Sequence, residues 1–72
     1  MTPATFKSIR KSYNLTQTQL ARLLRIEDIR TIRRYETGER PVSGPVSVVM
    51  ELLEDAAIVD IRHRLLGEKG KI

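Results

Sequence analysis

Three arginines, Arg30, Arg33 and Arg34, stand within five residues in the stretch EDIRTIRRYETGER, residues 27–40. Residues three and four apart are neighbours on a helical surface, so a helix here puts all three guanidiniums on one face, where like charges repel. Each guanidinium is a planar fork of donors that suits paired oxygen acceptors such as those of carboxylates and phosphates. The spacing therefore offers recognition of a polyanion, to be weighed against a merely solvated basic face. Charge alone leaves these two about even. Other chemistry is scarce. The chain has no cysteine, which removes disulfides and thiolate metal sites. His63 is its one histidine and has no partner at ligand spacing. With no nucleophile–base pair and no carboxylate dyad in view, neither an enzyme nor a cofactor nor a metal is expected.

The charge distribution favours the polyanion. Residues 1–40 carry nine Lys and Arg against four acids, a net +5, whereas residues 41–72 carry four against five, a net −1. A basic excess confined to one half is the electrostatic footprint of a nucleic-acid binder. With 72 residues the chain makes one domain at most, and one this short buries only about 60% of its extended surface, so dimerisation would be a natural aid to stability. At 40% hydrophobic and 31% charged the composition is that of a globular protein. The first residues lack the apolar core of a signal peptide, and no stretch approaches the ~20 apolar residues of a membrane span. The expectation is a soluble cytoplasmic protein with no membrane partner.

The elements that must position these arginines read as helices. Thr2 can cap a first helix over 2–13 with Pro3 at its first position, and Phe6, Ile9 and Tyr13 make its apolar stripe. Asn14 suits a left-handed stop. Thr16 with Gln19 is a capping-box pattern that starts a second helix at Gln17, with Leu20, Leu23 and Leu24 facing inward, Ala21 allowing close approach, and an end near Arg25. Asp28 caps a third helix over roughly 29–37, and Gly38 stops it. Two short helices across a turn of a few residues make a helix-turn-helix candidate. After the punctuation of Pro41, Gly44 and Pro45, a fourth helix opens at Pro45 with Val46, Val49, Met50 and Leu53 on one face. Beyond Leu53 the apolar positions Ile58, Ile61 and Leu65 lie on a stripe rotated by more than ~90°. Either a break near Asp55 starts a fifth helix, or one long helix serves the core and a partner on different sides. The expected fold is all-α, a bundle of four to five helices. Residues 1–54 form its core, 55–67 a C-terminal helix or extension, and 68–72 a frayed tail.

At this point the order of residues resembles a known family. Thr16-Gln17-x-x-Leu20-Ala21, apolar Leu24 and Ile26, then Thr31-Ile32-x-x-Tyr35-Glu36-x-Gly38 look like the Cro and phage-repressor helix-turn-helix family, also called the xenobiotic-response-element family, over about residues 6–53. The fold so implied is lambda-repressor-like. TIRRYETGERPVSGPV further resembles a subset of short bacterial and prophage regulators with a Gly-Glu-Arg-Pro exit. Two departures stand out. Arg25 occupies the turn position usually held by glycine, and one extra residue lies between Ile26 and Ile32.

The resemblance implies that the third helix lies in the DNA major groove while the second crosses the backbone. Carried over, Ile29, Arg30, Arg33 and Arg34 fall on or beside the base-reading face, where an arginine grips guanine O6 and N7 or holds a phosphate. The motif around them weighs against a merely solvated face. Gln17, Arg40 and Ser43 fall where the family touches phosphate. Gln17 as a plain helix former and Arg40 as a solvated loop residue are the blander readings. The family also pairs an arginine of helix 1 with the glutamate before the exit glycine, here Arg10 and Glu36, as a partly buried bridge. Ile58, Ile61, Arg62 and Leu65 are the candidate dimer interface. The function implied is a homodimeric repressor of a bacterial or phage operon, bound to a palindromic operator in double-stranded DNA and located in the nucleoid or an infected host cell. The family also includes antitoxins, restriction-modification controllers and regulators beside anti-CRISPR genes, so a protein-interaction module is the alternative. Binding of its own mRNA is a third reading, weakened because Phe6, Tyr13 and Tyr35 all read as core.

Overall fold

Local capping chemistry sets where the first three helices begin in the computed structural model, which describes residues 1–62, with side chains through residue 57. Thr2 Oγ1 accepts the Thr5 amide at 3.1 Å, and α1 runs Pro3–Ser12. Thr16 Oγ1 accepts the Gln19 amide at 3.1 Å while Gln19 Oε1 accepts the Thr16 amide at 2.8 Å, so a reciprocal capping box opens α2, Gln17–Leu23. Asp28 Oδ1 accepts the Arg30 amide at 2.9 Å and opens α3, Ile29–Thr37. The last helix, α4, is Gly44–Arg62, beginning one residue before Pro45 and continuing unbroken past Asp55. The described residues are thus all-α, four helices without a strand.

The helix ends follow one rule with unlike residues. Asn14 and Arg25 have φ of 56° and 61°. In each turn the next amide reaches back across it, Leu15 to the Arg10 carbonyl at 3.3 Å and Ile26 to the Ala21 carbonyl at 2.8 Å. These are the paired bonds of a Schellman end. Glycine is the usual occupant; Arg25 holds the same left-handed turn at a cost of about 1–2 kcal/mol. Arg25 thus makes the turn after α2 without a glycine, and Ile26 to Asp28 lead from it into α3. Gly38 ends α3 at φ 83°, and a Cβ there would lie 3.3 Å from Pro3 Cγ. Two constraints, backbone and space, coincide at that position.

Phe6, Ile9, Leu20, Ala21, Ile32, Tyr35 and Met50 form the core, with Leu15, Leu24, Ile26, Val42, Val46 and Leu53 packed against it. Phe6 and Tyr35 meet edge to face at 5.4 Å, which ties α1 to α3. α3 packs on α1 and α2, and α4 on α1. Three apolar residues do not sit as the periodicity expects. Leu23 and Val49 are exposed, because α2 contacts the core through Leu20, Ala21 and Leu24, and α4 through Val46, Met50 and Leu53. Tyr13 is also exposed and donates its hydroxyl to the Leu53 carbonyl at 2.5 Å, serving as a polar tie to α4. Val48 and Leu52 lie exposed on α4 as well.

Candidate nucleic-acid interface

α3 has two unlike sides. Ile32 and Tyr35 are buried at 0% and 3% exposure, which fixes the rotation of the helix. That rotation turns Arg30, Arg33 and Arg34 outward, all three exposed, with Ile29 half-buried at the leading end. Together with Thr37 and Glu39 the arginines line an open depression of about 210 Å³. The sequence spacing put the three on one face; the apolar pair behind them aims that face at solvent.

The three guanidiniums are held to different degrees. Arg30 turns back on Asp28, its Nε donating to Oδ1 at 3.1 Å and to Oδ2 at 3.2 Å, and its Nη2 to Oδ2 at 3.0 Å. The side-chain and backbone hydrogen bonds from Arg30 keep the Asp28 carboxyl below its ordinary pKa, and the same side-chain bonds raise that of Arg30. Arg34 is tethered loosely, with Nε 3.6 Å from Glu39 Oε2. Arg33 forms no ion pair among the described residues. The partners Asp28 and Glu39 are not apparent from spacing alone. Asp28 reads as a cap, and its second task becomes visible only through the side-chain geometry.

Behind this face lies a polar bracket. Arg10 Nε donates to Glu36 Oε2 at 2.6 Å and Arg10 Nη2 to Glu36 Oε1 at 3.2 Å, with the two side chains 11% and 4% exposed. Arg10 Nη1 donates to the Leu15 carbonyl at 2.7 Å, and Gln17 Nε2 donates to Glu36 Oε1 at 3.0 Å. The carboxylate thereby joins α1, α2 and α3 at one point. Gln17 faces this bracket at the start of α2. Its place there is not visible in sequence, since 19 positions separate it from Glu36.

The remaining candidates are more scattered. Arg40 is exposed in the loop after α3; its amide donates to the Arg34 carbonyl at 3.2 Å, and the residue borders a depression of about 240 Å³ with Gly38, Pro41 and Val42. Ser43 is exposed directly before α4, its carbonyl accepting the Ser47 amide at 2.8 Å. The side chains of Ile58, Ile61 and Arg62, and all of His63 and Leu65, lie outside the described residues. Among those described, no helix is long and apolar enough to cross a membrane, and no group of three or more His, Asp or Glu is gathered as a metal site.

Comparison with known proteins agrees with this geometry. A family model described as helix-turn-helix matches residues 6–51, from the core phenylalanine of α1 into α4. No curated protein and no solved structure matches the chain. The match covers more than half of the sequence and contains both short helices, their turn and the arginine face, so this chain belongs to the Cro and repressor type of helix-turn-helix family, a family of DNA-binding regulators.

Proposed function

We propose that this protein is a homodimeric repressor that binds an inverted repeat in double-stranded DNA and silences a bacterial or phage operon, its own promoter included. One observation carries the reading: Arg30, Arg33 and Arg34 stand exposed on the outer face of α3, whose inner face is locked by Ile32 and Tyr35. A major groove about 12 Å wide accepts such a helix. Arg30, Arg33 and Arg34 reach base edges there, with Ile29 beside them at the leading end, and α2 crosses the backbone. Gln17 uses one amide N–H on Glu36; a carboxamide has a second, which serves a phosphate. Arg40 and Ser43 flank the adjoining strand.

A two-fold pair sets the recognition helices about 34 Å apart, one turn of duplex. The seam is assigned to Ile58, Ile61, Arg62 and Leu65, on the apolar stripe that sequence spacing rotates away from Val46, Met50 and Leu53. Repression is steric, by occupation of the promoter, and is governed by protein concentration. Selection of bound duplexes from a random pool tests the reading: a palindrome with half-sites one turn apart supports it, and no enrichment over bulk competitor at moderate ionic strength sinks it. Ile61→Glu should dissociate the pair and collapse operator affinity; unchanged sedimentation refutes that seam. The second reading, an antitoxin or adaptor docked on another protein, draws support from exposed Val48 and Leu52 on α4. It differs in predicting a monomer when the chain is alone.

A further inference from the structure

We propose that Asp28 is a positioning residue for base reading, holding the Arg30 guanidinium by one edge so that its other edge is presented to a guanine. The inference rests on the DNA reading above and adds a residue to it. A guanidinium has a side-on edge, Nε with Nη2, and an end-on edge, Nη1 with Nη2. Asp28 takes the side-on edge through three contacts of 3.0–3.2 Å. Among the described residues, Nη1 has no hydrogen-bond partner, so the end-on edge stays open. That edge carries two parallel donors, the pattern that guanine O6 and N7 accept.

The carboxylate is more than a cap. Asn and Ser cap a helix start as well as Asp does, so capping alone does not call for a charge at this position. Stability does not call for it either, because the pair is exposed, at 68% and 48% of the two side chains, and exposed pairs contribute little. A carboxylate on a surface that meets phosphates is repelled by them unless a cation absorbs its field. Here it is spent on one arginine, which it orders. Among the described residues, Arg33 and Arg34 have no such two-toothed hold. Pre-ordering a long side chain removes the entropy it would otherwise lose on binding and confines it to one direction. Arg30 then discriminates between base pairs, whereas a free Arg30 would find any phosphate.

The test uses the full chain and the duplex obtained by selection, with every base pair varied in turn. Arg30→Ala identifies the pair that Arg30 reads. Asp28→Asn and Asp28→Ser keep the cap, which circular dichroism and the melting temperature verify. Both should lower discrimination at that one pair by about fivefold or more, within the range a bidentate contact supplies. Both should leave the other positions unchanged and steepen the salt dependence of non-specific binding by about one phosphate contact. Wild-type discrimination at that pair in both variants overturns the proposal. So does an equal loss at every position, since that marks a structural role. If the wild type itself selects no sequence, the DNA reading falls and this inference with it; wild-type selection with unaltered variants removes the positioning role alone.

Discussion

The same chemical pair occurs twice in this molecule, with opposite consequences. Arg10 and Glu36 on one side, and Arg30 and Asp28 on the other, both join a carboxylate to the Nε–Nη2 edge of a guanidinium. The first pair is almost wholly enclosed, and its spare donors and acceptors are used by the Leu15 carbonyl and the Gln17 amide. The second is exposed and leaves Nη1 free among the described residues. In a low-dielectric interior an ion pair survives only if every polar atom is satisfied, and removal of one partner strands a charge. At the surface, water screens the pair and keeps its free edge available. Burial, not residue type, makes one arginine a bracket and the other a tool.

The largest effect is expected from Glu36→Ala. It leaves the Arg10 charge uncompensated and Gln17 without its acceptor, and should cost about 3–5 kcal/mol of folding stability. That is most of what a domain of this size possesses, so urea unfolding followed by circular dichroism should show a largely unfolded chain. A loss under about 1 kcal/mol would contradict the bracket. Next in size, Arg33→Ala should leave the unfolding midpoint unchanged and weaken operator binding by about 1–3 kcal/mol. A loss concentrated at one base pair assigns Arg33 to a base; a uniform loss with a shallower salt slope assigns it to phosphate.

The smallest expected effect is in pH. Asp28 is charged more readily in the fold than in the open chain because Arg30 hydrogen-bonds to it. Its contribution is therefore complete at neutral pH and disappears as pH falls below the ordinary carboxylate range, through the lowered native value. Because the pair is exposed, melting curves of the wild type and Asp28→Asn should nearly coincide at neutral pH. They should converge fully in acid, with any small wild-type advantage confined to the higher pH. A large wild-type advantage at neutral pH would place this pair with the buried one and erase the contrast.

How far the sequence reads true follows from the range of each interaction. Helix starts were legible at Thr2, Thr16 and Asp28, and stops at Asn14 and Gly38, because a cap and its target are two or three residues apart. The arginine face was legible for the same reason. Leu23, Val49 and Tyr13 were misjudged because periodicity says which residues share a face but not how wide a strip a neighbour covers. The tie from Tyr13 to the Leu53 carbonyl spans 40 positions and leaves no local trace. Asp28 is a different failure. Both of its tasks are local, but one carboxylate doing two jobs looks, in sequence, like a residue already explained.

Sequence alone determined the starts of α1, α2 and α3, the turn between α2 and α3, and the clustering of positive charge, since all of these arise from neighbours along the chain. Tertiary structure decided which face of α3 is turned outward, which ion pair is enclosed, and where Gln17 points. Those outcomes depend on Phe6, Ile32, Tyr35 and Met50 closing over one another, and solvent exclusion is a property of the packed whole that no stretch of chain possesses separately.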